Sequence, residues 1–268
     1  MDAVLLFSGQ GAQKVGMGKD LYDQYPVAKA LIEQADKALG ESLSAVMFEG
    51  PGEELTRTCN CQPALYVHGL ACLAVLKELV PSLNPVAAAG LSLGEFTAHA
   101  AAGTYSFEEG LRLVQKRGAF MEEACNATKG TMAAMIGGTD ENVIKLAQEC
   151  DVDVANFNCP GQTVVSGTEE GVAKAVAGAK AAGCKIAKKL NVAGAYHSRL
   201  MHSAMVKLAE ELKNISFGTP SMPVYCNYEA RVVEGPDDIR SMLEHQVCGS
   251  VRWTASMQKL VDQGHRLF

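Results

Sequence analysis

Short apolar runs alternate with longer amphipathic stretches along this chain, the pattern of a sheet whose faces are covered by helices. Val4 to Phe7 reads as a first strand, and the small apolar run Val86 to Ala89 has strand length. Asp20 to Leu39 and Pro63 to Val80 carry helical spacing. So does the segment from Phe107 to about Cys125, where Leu111, Val114, Gly118, Met121 and Cys125 form one stripe. Between about Gly130 and Leu190 the rhythm changes. Thr131 to Ile136 predicts a strand, Glu141 to Glu149 a helix, Val152 to Phe157 and Thr163 to Ser166 two strands, Glu169 to Ala182 a helix, and Lys185 to Leu190 a last strand. That β-α-β-β-α-β order is ferredoxin-like. The expected organisation is an α/β core built from residues 1–126 and 191–268, with a ferredoxin-like α+β subdomain inserted over 127–190.

Composition narrows the class. The chain has 268 residues, 48% of them hydrophobic and 20% charged, enough for one large core with a small insertion. Its first residues, Met1 to Phe7, lack a basic start and are too short an apolar stretch for a signal peptide or a membrane span. The nine cysteines are odd in number and contain no Cys-x-x-Cys pair, which points to a reducing cytoplasm rather than a disulfide framework or a zinc site. The net charge of −6 argues against a nucleic-acid partner. Anionic partners are left to local basic spots: Lys185, Lys188 and Lys189 in one segment, and Arg117 and Arg199.

The chemistry concentrates at Gly90-Leu91-Ser92-Leu93-Gly94, which follows the apolar run Val86–Ala89 and precedes a helical stretch opening at Glu95. A serine between two glycines at a strand-to-helix turn is pushed out of the fold at a helix N-terminus, so Ser92 reads as a nucleophile on a hydrolase-like parallel-sheet core. A serine hydroxyl needs a base. Of six histidines, His68 lies inside a helical run and His99 lies too far along the helix that Ser92 opens, while His245 and His265 have no informative context. His197 follows a strand and a glycine turn and precedes a helix with the apolar face Leu200, Ala204, Leu208 and Leu212. A helix N-terminus favours neutral imidazole, so His197 is the candidate base, with a structural histidine as the alternative. His197 and His202 are about 140° apart on a helix, which is not a metal-ligand arrangement.

Arg117 borders the buried stripe of its helix, whereas Arg112 and Lys116 fall on the solvated side. A buried guanidinium needs an anionic partner because its desolvation costs several kcal/mol. Two partners are open: a buried carboxylate of the protein, or a substrate carboxylate held in bidentate geometry.

Five segments together, Phe7-Ser8-Gly9-Gln10-Gly11-Ala12-Gln13, Gly90 to Ala98, Gln115-Lys116-Arg117-Gly118, Asn156 to Gln162 and Tyr196-His197-Ser198, resemble those of malonyl-CoA:acyl-carrier-protein transacylases, in the same order and over nearly the whole chain. The resemblance implies that Ser92 attacks the malonyl thioester with His197 as base and then acid, and that the main-chain carbonyl of Gln246 orients the imidazole. It further implies an oxyanion hole made by the main-chain N–H groups of Gln10 and Leu93, and a substrate carboxylate held by Arg117. Met121, Tyr196 and Asn158 would line the pocket. Malonyl-CoA and acyl carrier protein are the implied partners, in fatty acid or polyketide synthesis, with no cofactor, metal, nucleic acid or membrane involved.

The chain departs from that pattern at Leu91, where the family usually has histidine, and at Cys159, where it often has serine. Relatives of this kind usually continue past the position of Phe268 through another strand and a Gly-Pro-Gly turn. A bulky Tyr196 beside His197 would favour malonyl over methylmalonyl. A serine thioesterase or hydrolase would use the same elbow but normally adds an acidic third member, and a non-catalytic carrier-binding subunit is the other alternative.

Overall fold

A computed structural model describes residues 1–268. Its strands are β1 (Asp2–Phe7), β2 (Asn84–Gly90), β3 (Gly130–Ile136), β4 (Asp153–Cys159), β5 (Gln162–Thr168), β6 (Ile186–Lys189) and β7 (Val224–Tyr225). The run of alanines in β2 lies at the centre of a parallel sheet ordered β1-β2-β7. Ala88 and Ala89 are fully buried, as a strand covered on both faces requires. The register pairs Phe7 with Gly90 and Ala89 with Tyr225, so the three strands end together and deliver three chain segments to one edge.

The second sheet is antiparallel in the order β4-β5-β3-β6, the arrangement of a ferredoxin-like unit. Period-two alternation divides its faces. Ala133, Met135 and Val165 pack under the helices Asp140–Glu149 and Glu169–Gly178, while Met132 and Val164 face the other way and join the main core. One parallel bridge, Asn156 with Val251, fastens β4 to the main body.

Element boundaries differ from the sequence reading where proline and capping intervene. The stretch Asp20 to Leu39 is two helices, Lys19–Gln24 and Pro26–Leu39, because Tyr25 precedes a proline and is extended, with φ −124° and ψ 113°. The helix expected from Pro63 starts at Thr58 and keeps Pro63 inside its second turn. That helix, Thr58–Leu79, is long and apolar enough to cross a bilayer, but it is mostly buried against its neighbours as a core helix. Four further helices, Leu43–Glu49, Gly52–Thr56, Pro236–His245 and Trp253–Asp262, lie where the pattern gave no assignment.

The helix that carries Arg117 runs from Phe107 to Ala127. Ser106 and Glu109 form a reciprocal capping box at its start: the Ser106 hydroxyl accepts from the Glu109 N–H, and the Glu109 carboxylate accepts from the Ser106 N–H. Its buried stripe, Leu111, Val114, Met121 and Cys125, matches the apolar spacing. Ser106→Ala is expected to lower stability by about 1 kcal/mol through loss of this cap. Urea unfolding should show a lower midpoint at unchanged slope.

Candidate active site

At the edge where β1 and β2 end, the backbone is too crowded for side chains. A Cβ on Gly90 would lie 1.9 Å from the Gly94 carbonyl carbon, and one on Gly94 would lie 2.3 Å from the Phe7 carbonyl oxygen. Gly9 is similarly confined: a Cβ there would lie 2.4 Å from the Leu91 carbonyl oxygen. Between these glycines Ser92 takes φ 54° and ψ −105°, a conformation costly for a residue with a side chain. It sits at the N-cap of the helix Leu93–Ala101.

His197 comes from the far side of the inserted sheet, just before the 3-10 turn Arg199–Met201 that leads into the helix His202–Lys213. It is therefore one turn ahead of the helix proper. The Ser92 hydroxyl meets His197 Nε2 at 2.8 Å. His197 Nδ1 faces two carbonyl oxygens, that of Gln246 at 2.8 Å and that of Gly249 at 3.2 Å. Two acceptors require the proton on Nδ1, which leaves Nε2 to accept from Ser92. No carboxylate stands at Nδ1. Burial, reinforced by the Arg117 charge, pushes the imidazole down to about 4, against a smaller upward pull from the two carbonyls. It is neutral at physiological pH.

Arg117 lies deeper than the sequence pattern suggested: it does not border the core but is 1% exposed within it. Arg112 and Lys116 remain outside, Lys116 on Glu211 at 2.6 Å. The Arg117 guanidinium donates to Gln62 Oε1 at 2.6 Å, to Gln246 Oε1 at 2.8 Å and to Ser92 Oγ at 3.1 Å, and it rests on the Phe96 ring. Its Nε–H finds no protein acceptor. Burial lowers it to about 10, so it stays cationic at neutral pH. All its oxygen partners are neutral. The nearest acid is Glu95, one amide away: Gln246 Nε2 donates to Glu95 Oε2 at 2.7 Å. Burial pushes Glu95 up to about 7.

Two further side chains hold the turn. Asn227 accepts from the Ser92 N–H and donates to the Gly90 carbonyl, and Gln246 Nε2 also donates to the Ser92 carbonyl at 2.9 Å. Neither Gln10 N–H nor Leu93 N–H meets an acceptor within the protein.

Ser92, Arg117 and His197 line one cavity of about 420 Å³ between the two sheets. Gln10, Leu93, Met121, Asn158 and Tyr196 line it too, so every residue expected at the site is gathered there except Gln246, which stands behind it. Leu91 is also part of the wall. Gln62, Glu95, Asn227 and the side chain of Gln246 were not foreseen; buried polar residues inside apolar stretches were the available signal. His99 is fully buried against Thr104 and takes no part. Of the basic spots, Arg199 is held by Asp151 and Asp153, and Lys189 lies 3.5 Å from Glu169.

The acyl transferase domain family matches residues 4–268. The chain is 43% identical over 268 residues to a malonyl CoA-acyl carrier protein transacylase of Bacillus subtilis, covering 98% of this chain and 84% of that one. Its structure superimposes at a TM-score of 0.95 on the malonyl CoA-acyl carrier protein transacylase of Coxiella burnetii, 35% identical, over 99% of this chain and 85% of that one. It also matches a malonyl-transacylase solved in complex with its type II polyketide acyl carrier protein, at a TM-score of 0.94 and 36% identity, over 99% of this chain and 87% of the other. With a glycine-bracketed serine bonded to a histidine that carbonyls orient, and a match along almost its entire length, this chain belongs to the acyl transferase family.

Proposed function

We propose that this protein transfers the malonyl group of malonyl-CoA to the phosphopantetheine thiol of an acyl carrier protein, through an acyl-enzyme on Ser92, in fatty acid or polyketide synthesis. The observation that carries this reading is the Arg117 guanidinium. It is buried beside the nucleophile, it contacts no carboxylate, and it retains an unpaired N–H. Such a charge favours an acyl group that ends in a carboxylate over a neutral one. The relatives with this name and the carrier complex among the structural neighbours support the donor and the acceptor. Nine free cysteines agree with a cytoplasmic location.

In the first half-reaction His197 Nε2 takes the Ser92 proton as Oγ attacks the thioester carbonyl. The free N–H groups of Gln10 and Leu93 receive the oxyanion, a role for which donors without a protein partner are suited. The protonated imidazole then gives its proton to the departing CoA sulfur. In the second half-reaction the same nitrogen takes the proton of the carrier thiol, whose sulfur attacks the malonyl ester, and returns a proton to Ser92. The carbonyls of Gln246 and Gly249 keep the ring oriented through both halves. Tyr196 and Met121 on the cavity wall restrict a branch at the α-carbon.

Mixing the protein with malonyl-CoA should leave a malonyl adduct on Ser92 that persists until carrier protein is added, read by mass spectrometry. Rapid release of free malonate in its place marks a hydrolase. Arg117→Ala should cost malonyl transfer about 2–5 kcal/mol in kcat/KM while acetyl transfer gains relative to it. An equal fall for both acyl groups removes the carboxylate role. Because His197 must be neutral to act as base, acylation should hold as the pH falls and drop only through about pH 4. A midpoint near the ordinary value of about 6.5 would mean that the imidazole is solvated.

A further inference from the structure

We propose that Asn227 is a positioning residue for the nucleophile. Its carboxamide spans the elbow: Oδ1 accepts from the Ser92 N–H at 2.6 Å, and Nδ2 donates to the Gly90 carbonyl at 2.7 Å. The claim rests on the reading of Ser92 as the nucleophile.

The sheet puts Asn227 in place. Strand β7 pairs in parallel with β2 through Ala88–Val224 and Ala89–Tyr225, and Asn227 lies two residues beyond the end of β7. It is therefore carried alongside the turn that begins at Gly90. Its own backbone is held at both ends, since its N–H donates to Glu95 Oε2 at 2.9 Å and its carbonyl accepts from the Arg252 N–H at 2.9 Å. The residue is 1% exposed, so water does not compete for the amide.

The chemistry requires an amide at this spot. One group must accept from an N–H and donate to a carbonyl a few atoms away, which an aspartate carboxylate, a leucine or an alanine cannot do. The amide orientation follows from those two partners. Ser92 occupies a strained backbone conformation that persists only where its surroundings over-determine it. By tying the residue two before Ser92 to the Ser92 N–H itself, Asn227 holds the dihedrals that aim Oγ at His197 Nε2. It also takes up the Ser92 N–H, so that the N–H remaining at the helix start is that of Leu93. Arg117 makes no hydrogen bond to Asn227; its acceptors are Gln62, Gln246 and Ser92. Carboxylate binding and nucleophile aim are thus separable.

The test uses Asn227→Ala and the isosteric Asn227→Asp, with single-turnover acylation by malonyl-CoA and the Kd for malonyl-CoA measured on Ser92→Ala backgrounds. A neutral alkyl fluorophosphonate that labels Ser92 is the second probe. Asn227→Ala should slow both labelling reactions about 100-fold, the loss expected of a nucleophile misplaced by about an ångström. The Kd should stay at its starting value. Asn227→Asp keeps the acceptor and loses the donor, so it should be slowed in both reactions as well. Wild-type labelling rates in the folded Asp variant overturn the proposal, as does a Kd that rises in step with the lost rate. Wild-type protein that takes the phosphonate but no malonyl group removes the transferase reading and leaves the role of Asn227 standing.

Discussion

A positive charge held in the interior without a carboxylate beside it organises this protein. Arg117 is 1% exposed, and its contacts are two glutamine carbonyls, a serine hydroxyl and an aromatic face. Moving an ion of that size from water into protein costs several kcal/mol, which neutral dipoles offset only in part. The remainder is visible in its surroundings. It lowers the basicity of His197, and Glu95, one glutamine away, is the only acid drawn into the network. Had a carboxylate replaced Gln62 or Gln246, the charge would be neutralised internally and the proposed hold on an anionic acyl group would be lost.

The second constraint is steric. Three glycines, Gly9, Gly90 and Gly94, allow two strand ends and a helix start to approach within the space of a single side chain. Compression alone does not determine where the serine points. The aim comes from hydrogen bonds that arrive from elsewhere in the chain, from Asn227 beyond β7 and from Gln246 after the helix Pro236–His245. Gln246 contributes through three groups at once: its main-chain carbonyl to His197, its side-chain oxygen to Arg117 and its side-chain nitrogen to Ser92 and Glu95. One residue thereby couples His197, Arg117 and Ser92. Ser92 and His197 are two of the four non-glycine residues with positive φ, so both members of the pair hold backbone conformations that their surroundings must enforce.

Much of this was legible in the sequence because it depends on local rules. Strand length, helical spacing and the glycine-bracketed serine each follow from residues a few positions apart, and they located β2, the helix Phe107–Ala127 and the ferredoxin-like order of the inserted sheet. The break at Tyr25–Pro26 is also local, but the apolar pattern runs on through it and masks it. The short helices Leu43–Glu49 and Gly52–Thr56 have too few turns to show a period.

What no local rule supplies is the meeting of residues far apart in the chain. Ser92 and His197 are 105 positions apart, Arg117 and Gln246 are 129, and Ser92 and Asn227 are 135. The sequence determined which side chains could act as nucleophile, base and cation, because those are properties of residue types in a local backbone setting. The tertiary structure alone decided that the buried cation would be met by amides and not by an acid, and that a second carbonyl, that of Gly249, would join that of Gln246 at the imidazole. Burial and partner choice are set by packing across the two sheets, and the free energy of a charge depends on everything within reach of it, whatever its distance along the chain.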